Sequence, residues 1–526
     1  MLTSGVTIAI PWEFFEDTNT AENIEDMEVD TIDYSDIGSG YSDDEKLQHC
    51  SSNDQAKSND FVREYKIPTE CTQPLAITTD PNGTVWFAQT NTGNIAKFDP
   101  VTETFTEYTN SQWVDAEKRF KQKLRSMMWG MDYSPDGAIW YTEEATDSIW
   151  RFSITDEKYN RIDFPITDEI SSLPQKLVID GSNVMVNDFT GGKLTIFGYS
   201  QDSLSYSSIP SPIDGFTSDF AIDSENNIWY TNWNPDGNGI IVKFNHEKWE
   251  SQLSLSPEAD SLLLQDYVQF FQFPSGMTTP NGITVGPNQN IWIVDTTSNY
   301  FFSFDPVTEE FTKYVTSIPT IDSYGNASGF IKNPISRPYW IEHSDNNLVF
   351  NEQTANRIGV FNPSTETLVE YTIPSRNPNW SDCEGIEYCG VAQVFSFTID
   401  GKKIWFTEWV ENNIGVIDTS ISLPFSIDTD KQSITLEKGQ TANIMLYVTS
   451  TTSDLSDNVI VNSSTTSTFS DIVVTSEQKE LYIDDSSKTM IQITVSESAL
   501  SGTHKVLLGA YNDDIAISKF ITVIIE

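Results

Sequence analysis

Cationic residues are scarce in this sequence of 526 residues: 30 lysines and arginines stand against 77 aspartates and glutamates, which gives a formal net charge of −47. A surface with that charge repels nucleic-acid phosphates and anionic lipid headgroups, so nucleic acid is not expected as a partner. The sequence also lacks a run of about 18 apolar residues, which a transmembrane helix requires. These absences predict a protein without a transmembrane segment, suited to solubility, cation binding or cationic partners.

Cysteine and histidine are also rare, with four of each. The even number of cysteines is compatible with disulfides. A bond between Cys383 and Cys389 would close a small loop, and one between Cys50 and Cys71 would pin the N-terminal leader. Metal binding by these cysteines is disfavoured because no C-x2-C pair occurs. Glycosylation is permitted at the four N-x-[ST] sequons, which are Asn82, Asn326, Asn379 and Asn462. Together these features favour an extracellular or cell-surface location.

The N-terminal leader differs in composition from the rest of the chain. Residues 1–12 are a short apolar stretch without a preceding basic residue, either the tail of a secretory signal or an irregular N-terminus. Residues 13–58 are acidic, rich in serine and asparagine, and poor in large apolar residues. Such a segment cannot bury enough surface to offset its ordering entropy. We therefore expect residues 1–58 to form an acidic, largely disordered leader.

A repeated phrase dominates the following residues: a short apolar strand, a turn with Asp, Asn or Gly, and an aromatic strand. Its seven copies are ITTDPNGTVWFAQ (77–89), MDYSPDGAIWYTE (131–143), LVIDGSNVMVN (177–187), FAIDSENNIWYTN (220–232), ITVGPNQNIWIVD (283–295), IEHSDNNLVFNE (341–352) and FTIDGKKIWFTE (397–408). Turn residues between two segments of period two indicate hairpins. A third strand follows each copy and a fourth follows most, at a spacing of roughly 40–60 residues that is typical of propeller blades. The pattern predicts an all-β fold with a seven-bladed β-propeller over residues 59–421.

The last repeat, residues 390–421, stops after its third strand, IGVID (414–418). A fourth-strand phrase without a blade, FVREYKIP (61–68), precedes the first repeat. We therefore predict that 61–68 completes blade seven and closes the ring, which removes an exposed strand edge. Residues 424–526 alternate apolar and polar residues and predict a β-sandwich, immunoglobulin-like in outline, that acts as a spacer or in cell-surface assembly.

Two insertions have helical spacing. Residues 115–128 carry Phe120, Leu124 and Met128 on one side and form the most basic stretch of the chain. A helix there either packs on the propeller with its charges in solvent or lies over the acidic channel face as a lid. Residues 258–270 are a second, shorter helical candidate.

Ligands of propellers usually bind where the connections between strands crowd around the central channel. The residues that end the aromatic strands are all polar: Gln89, Glu143, Asn187, Asn232, Asp295, Glu352 and Glu408. A ring of such oxygens could hold Mg²⁺ or Ca²⁺, with the four carboxylates as the main metal candidates. Crowding of like charge would also raise carboxyl pKa values and poise one group as an acid or base. The alternative is that strand ends merely tolerate polar residues. The tryptophans at 86, 140, 229, 292 and 405 are expected to pack between blades.

The phrase D-G-x-x-W-[FY]-T-E, spaced through seven repeats, resembles the virginiamycin B lyase (streptogramin lyase) family of propellers over about residues 61–421. The resemblance implies a Mg²⁺-dependent elimination that opens a cyclic depsipeptide ester. It also implies a histidine base near the start of an innermost strand. Glu143, Glu352 and Glu408 match the family's glutamate position and are the catalytic candidates.

The position of the base, however, holds no histidine. It is occupied by Leu75, Trp129, Asn281, about Tyr339 and about Val394 in the repeats where it can be located. His343 lies nearest to the motif, and we expect it in a turn or on the surface. A ring of carboxylates without this base cannot perform the same elimination.

We therefore predict a secreted or cell-surface, lyase-like propeller that binds a small-molecule or protein ligand on its channel face without the family's elimination activity. One alternative is a divalent-metal-dependent C–O lyase of altered specificity. The other is a lactonase-type hydrolase of a cyclic ester, with Asn281, Asn232 and Asp295 as metal ligands.

Overall fold

The structure is a computed structural model. It describes residues 22–23, 55–120, 126–164, 172–200, 203–234, 239–255, 266–319, 335–376, 392–451, 457–467, 470–483 and 486–526. Within these residues, no helix is long and apolar enough to cross a membrane. The predicted disordered leader lies almost entirely outside them.

Seven antiparallel sheets with the strand order of propeller blades follow one another along the chain. Two strands precede the first complete blade, β1 (Glu22–Asn23) and β2 (Val62–Lys66). Blades one to three contain β3 (Pro74–Thr79), β4 (Val85–Gln89), β5 (Asn94–Asp99), β6 (Thr104–Tyr108), β7 (Met131–Ser134), β8 (Ala138–Glu143), β9 (Ser148–Ser153), β10 (Lys158–Asp163), β11 (Pro174–Asp180), β12 (Asn183–Asp188), β13 (Lys193–Ser200) and β14 (Ser203–Pro210).

The remaining blades have the same order. Blades four to six contain β15 (Phe220–Ile222), β16 (Asn227–Trp233), β17 (Gly239–Asn245), β18 (Val268–Gln272), β19 (Pro280–Val285), β20 (Ile291–Asp295), β21 (Tyr300–Asp305), β22 (Glu310–Val315), β23 (Pro338–Ser344), β24 (Asn347–Glu352), β25 (Arg357–Asn362) and β26 (Thr367–Thr372). Blade seven contains β27 (Val394–Asp400), β28 (Lys403–Glu408) and β29 (Asn413–Asp418). The prediction of an all-β, seven-bladed propeller is confirmed.

The first strands of the blades lie innermost, and those of neighbouring blades contact one another, including β27 with β3 across the closure of the ring. Strand β2 pairs with β29, with Val62 opposite Ile417 and Lys66 opposite Asn413. A strand from the N-terminal side is therefore the outermost strand of blade seven. At the edge of blade three, the two residues of β1 pair with Ser203 and Leu204.

Tryptophans on the second strands fill the spaces between blades. All five are buried, namely Trp86, Trp140, Trp229, Trp292 and Trp405. The Trp405 ring lies 5.8 Å from the Phe98 ring of the next blade, and the Trp292 ring lies 5.7 Å from Phe361. Aromatic pairs at these distances add about 0.5–1.5 kcal/mol each to the apolar burial. Blade six carries Val349 at this position.

The C-terminal residues form two sheets. Their strands are β30 (Phe425–Thr429), β31 (Ser433–Leu436), β32 (Thr441–Ser450), β33 (Asp457–Thr465), β34 (Ile472–Ser476), β35 (Glu480–Ile483), β36 (Ser486–Val495), β37 (Gly502–Tyr511) and β38 (Ile515–Ile525). One sheet has the order β30-β32-β36-β34, and the other joins β31, β38, β37, β33 and β35. Leu446 and Ile493 of the first sheet share one hydrophobic cluster with Val506 and Ile521 of the second. This arrangement is expected of a β-sandwich, and the immunoglobulin-like outline stays a prediction.

The second C-terminal sheet is continuous with blade six. Strand β38 pairs with β26, with Leu368 opposite Ser518, so the sheet extends to nine strands. Phe520 is buried against Tyr314 and Phe361 of blades five and six. Covering the edge of β26 satisfies backbone groups that would otherwise be open to other chains. This junction was not predicted, because alternating residues do not specify which strand edge they will pair with.

The helix predicted at 115–128 is wrong in its bounds. Helix α1 (Ser111–Phe120) begins earlier, because the Asn110 side chain accepts hydrogen bonds from the backbone N–H of Gln112 and Trp113 at 3.1 and 3.4 Å. Residues 121–125 lie outside the described residues, and buried Met128 follows them outside any helix. A Cβ atom on Gly93 would lie 2.2 Å from the indole of Trp113, so glycine is needed where α1 packs on blade one.

The exposed Lys118 of α1 pairs with Asp115 at 3.4 Å, which agrees with a packed helix that keeps its charges in solvent. The second helical prediction, 258–270, is wrong where it can be examined, since residues 268–270 belong to β18. Residues 258–265 lie outside the described residues. The helix of this region, α2 (His246–Leu255), begins directly after β17.

Candidate functional site

The seven residues predicted to end the second strands are all buried, with at most 1% of their surface exposed: Gln89, Glu143, Asn187, Asn232, Asp295, Glu352 and Glu408. Strands β12 and β16 run one residue further than predicted, to the buried Asp188 and Trp233. The hydrogen bonds of the seven residues show which way each side chain points. In blades one, six and seven the partners lie on the same blade, on the third and fourth strands. In the other blades most of the partners lie in adjacent connections.

In blade one, the Gln89 amide donates to Glu107 of the fourth strand at 2.5 Å. In blade six, the Arg357 guanidinium lies between two carboxyl groups, 2.6 Å from Glu352 and 3.3 Å from Glu370. Burial raises the pKa of Glu352 to about 8, against the opposing effect of Arg357. These side chains therefore point outward along the blade rather than toward the channel.

Blade seven also has two acids at these positions, and among the described residues no cation is paired with either. Glu408 and Glu64 are hydrogen-bonded to each other, and Asn413 donates to Glu408 at 3.1 Å. Burial, followed by repulsion from Glu64 and Glu411, raises the pKa of Glu408 well above its ordinary value. Glu64 also accepts hydrogen bonds from the backbone and hydroxyl of Ser375. The carboxyl pair joins the closing strand β2 to β28.

The acidic strand-end residues of blades two and five are enclosed by their own connections. Glu143 accepts hydrogen bonds from the hydroxyls of Ser126 and Thr146. Asp295 accepts from the backbone N–H groups of Thr278 and Thr279, both at 3.1 Å. Each carboxylate thus holds a turn together and does not face the channel axis.

The two asparagines act in the same way. Asn187 accepts from the Lys176 N–H and donates to the Thr217 carbonyl, both at 2.5 Å. Asn232 accepts from the Ile213 N–H at 3.1 Å. Asn187 therefore links β11 to the connection between blades three and four, and Asn232 holds the same connection from blade four.

The expected ring of metal ligands is not formed by these contacts. A hard cation needs several oxygens directed at one point, whereas the strand-end oxygens are used in separate hydrogen bonds within separate blades. Among the described residues, no three His, Cys, Asp or Glu side chains are grouped so that they could hold a metal. The residues therefore do not fit a shared Mg²⁺ or Ca²⁺ ion. The physical reason is that strand side chains project from the sheet faces and not along the propeller axis.

Aromatic rings meet at the position where the resemblance places the catalytic base. Trp129 lies 6.0 Å from Tyr339 with its ring nearly parallel, and 5.7 Å from Phe395 with its ring nearly perpendicular. The Tyr339 and Phe395 centroids are 6.0 Å apart. These residues come from blades two, six and seven. Because blades two and six are not neighbours, the rings meet across the channel, and we call them the aromatic triad.

The other residues at this position do not face an open channel. Leu75 is fully buried, and Asn281 donates to the Thr296 hydroxyl at 2.8 Å. Val394, expected at the position in blade seven, is buried opposite Glu408, and Phe395 takes its place in the channel. His343 is exposed, and its ring contacts the carbonyl of Asp345 at 2.7 Å within a turn.

Glu144 stands beside the aromatic triad. Its carboxyl group accepts a hydrogen bond from the Trp129 indole at 2.5 Å. Burial raises its pKa to about 7, although the Trp129 hydrogen bond opposes the shift. This carboxyl group therefore changes charge near neutral pH, directly next to an aromatic surface.

Four charged residues in or directly before the innermost strands form an axial cluster, defined as Asp132, Lys176, Asp219 and Glu342. Lys176 reaches across the channel to Glu342 at 3.5 Å. Burial opposes the charge of Lys176, but the carboxylates of Asp219, Glu342 and Asp132 outweigh burial and raise its pKa. Burial raises the pKa of Asp219 to about 7. The cluster brings three carboxyl groups and one ammonium group into the channel.

The sequence alone did not indicate a role for Glu144, for the axial cluster or for the meeting of the aromatic triad in the channel. One signal was available: Lys176 and Asp219 are charged residues in or beside innermost strands, where other repeats carry small or apolar residues such as Ala76 and Gly282. Charged side chains are rarely buried unless paired, so a lysine there calls for carboxylates from other blades.

The predicted modification sites are only partly described. Asn82 is exposed in the first turn of blade one, whereas Asn462 lies within β33 with its amide oxygen buried. Asn326 and Asn379 lie outside the described residues. Cys71 is buried, and Cys50, Cys383 and Cys389 are outside the described residues, so the disulfide pairing stays a prediction.

Neither a family model nor a curated protein matches the chain. Among solved structures, it is similar to a virginiamycin B lyase from Staphylococcus aureus, at 20% identity and a TM-score of 0.49, over 69% of this chain and 99% of the lyase. A streptogramin B lyase structure matches at 18% identity and a TM-score of 0.49, over 68% and 96% of the two chains. A putative gluconolactonase matches at 10% identity and a TM-score of 0.34, over 56% and 88%. These likenesses concern the fold alone.

Proposed function

We propose that this chain is a ligand-binding propeller, located outside the cell or on its surface, whose ligand lies on the aromatic triad. The observation that carries the proposal is the triad itself, because Trp129, Tyr339 and Phe395 present ring surface where a lyase of this fold would need a base. Net charge, sequons and an even number of cysteines support the location.

The chemistry around the triad favours a small molecule with an aromatic or apolar ring and a cationic group. Ring faces attract cations as well as flat apolar groups, at about 0.5–2 kcal/mol per contact. Glu144 adds a carboxyl group directly beside the rings, and the axial cluster adds further carboxyl groups within the channel. A protein ligand would have to present the same chemistry on an aromatic or basic side chain.

Benzyltrimethylammonium, which combines a ring with a cation, is a suitable probe. Calorimetry should show saturable binding to the full chain and at least a tenfold loss in Trp129→Ala. Tyr482→Ala removes an exposed aromatic of the C-terminal sheets and serves as the matched control. Absence of saturable binding, or equal binding by Trp129→Ala, would contradict the proposal.

Glu144 favours a second candidate, elimination on a cyclic ester with this carboxylate as the base, because a base works best with a pKa near the operating pH. Incubation with a streptogramin B depsipeptide, followed by chromatographic separation and tandem mass spectrometry, tests this candidate. Elimination leaves the mass unchanged while opening the ring, and hydrolysis of the lactonase type adds one water. Turnover that is lost in Glu144→Gln would replace the binding proposal, whereas an intact depsipeptide would eliminate this candidate.

A further inference from the structure

Blades three and six depart from the packing rule of the other five blades, since Met185 and Val349 stand at the position of the tryptophan. Val349 stands opposite Glu342 and Val360 on its neighbouring strands. Trp405 of blade seven has the same register, opposite Thr398 and Val416. Val349 therefore occupies the position at which five other blades insert an indole between themselves and the next blade.

A cleft of about 350 Å³ opens between blades six and seven at this position. Its lining is mixed: the apolar part consists of Val349, Val360, Val369, Tyr371, Ile399, Ile404 and Leu423, and the other lining residues, such as Asn347, Asn362 and Thr365, are mostly polar. Small-molecule sites usually measure roughly 300–1,000 Å³. An apolar cavity of about 150 Å³ is already large enough to hold benzene. The cleft therefore has room for one or two aromatic rings.

The cleft also has a candidate acceptor for a ring N–H. In blade two, the Trp140 indole donates to the Ser134 hydroxyl at 3.2 Å, and in blade four the Trp229 indole donates to Asp223 at 2.8 Å. Ser134 and Asp223 each lie two residues after the first-strand residue that stands opposite the tryptophan. Register places Ser344 at that position in blade six, and Ser344 lines the cleft.

We propose that the cleft between blades six and seven binds a planar aromatic molecule of indole size with a ring N–H, in the place of the absent tryptophan. The ligand ring lies between Val349 and Ile404, and its N–H donates to the Ser344 hydroxyl. Lys402 and Asp345, paired at 3.3 Å on the exposed rim, border the entrance. This site is separate from the aromatic triad and does not depend on the function proposed for it.

Titration of the full chain with indole by calorimetry tests the proposal. The wild type should bind indole saturably, and Val349→Trp, which fills the cleft from within, should weaken binding at least tenfold. Val101→Trp places the same side chain on an exposed turn, where 91% of Val101 is accessible, and should bind as the wild type does. Equal binding by the wild type and Val349→Trp, or no saturable binding by the wild type, would overturn the proposal.

A second comparison does not depend on the folding of the tryptophan variant. Wild-type protein should prefer indole to 1-methylindole, which cannot donate a hydrogen bond, by about fivefold to tenfold, since a neutral hydrogen bond contributes about 1 kcal/mol. Ser344→Ala should bind the two compounds equally. An unchanged preference in Ser344→Ala would overturn the assigned orientation, and with it the proposal for a ring N–H ligand.

Discussion

Glu408→Gln removes one of the two carboxyl groups that touch where the closing strand joins blade seven. Glu408 is completely buried and hydrogen-bonded to Glu64, and no cation of the described residues is paired with either acid. One of the two must therefore keep a proton at neutral pH. Glutamine has the same shape and still donates a hydrogen bond to Glu64, but it does not titrate.

The sign of the pH dependence follows from the raised pKa of Glu408. The folded chain holds a proton that the unfolded chain releases above an ordinary value of 4.5. The stability associated with this proton is fully present below that value and is lost as the pH rises toward the raised pKa. The loss is about 1.4 kcal/mol per pH unit for one proton. From pH 5 to pH 7, Glu408→Gln should therefore gain stability relative to the wild type, by at most about 2.7 kcal/mol, which is the limit for one proton held throughout that interval.

Urea unfolding followed by tryptophan fluorescence at pH 5, 6 and 7 measures this difference. The two proteins should be nearly equal in stability at pH 5 and diverge steadily toward pH 7. Other buried acids, such as Asp219, are present in both proteins, so their contributions cancel in the difference between the two free energies of unfolding. Parallel stability curves for the two proteins would refute the shared proton.

Blade one offers the reciprocal control. Gln89→Glu creates a carboxyl pair with Glu107 at the corresponding position, and the variant should lose stability relative to the wild type as the pH rises from 5 to 7. Asn413→Arg supplies blade seven with the cation that Arg357 provides in blade six. This variant should show a shallower pH dependence than the wild type, since the guanidinium stabilises the charged carboxylates.

Two further variants test the channel and the junction. Lys176→Met leaves the three carboxyl groups of the axial cluster without a cation and should lower the free energy of unfolding by about 3–5 kcal/mol at pH 8. The loss should shrink at pH 5, where Asp219 is protonated, and a loss independent of pH would contradict this account. Phe520→Ala removes a buried ring between the C-terminal sheets and blades five and six and should cost about 3–5 kcal/mol. Limited proteolysis should then cleave faster between the propeller and the C-terminal sheets, and an unchanged digestion pattern would count against a packed junction.

Much of the propeller could be predicted because its signals are local. Alternation of period two and turn residues such as Asp80 and Gly83 define each hairpin within a few residues. Helix bounds were less predictable, since α1 begins where the Asn110 side chain caps it and Trp113 finds a surface on blade one. That surface exists only once the blade has folded.

The candidate site could be predicted only as a set of polar strand ends. Glu352 and Glu408 were expected to face the channel, but they approach the acids Glu370 and Glu64 on the fourth strands. Local sequence does not reveal such a contact, because the partner of Glu408 is Glu64, which comes from the far end of the propeller sequence.

The amino-acid sequence by itself determined the number of blades, their strand order and the positions of the buried tryptophans, because these depend on residues close together in the chain. Only the tertiary structure decided that Trp129, Tyr339 and Phe395 close the channel, that β38 extends blade six, and that Val349 leaves a cleft beside blade seven. Each of these features joins residues far apart in sequence. Their contacts arise only when the ring brings the blades around one axis.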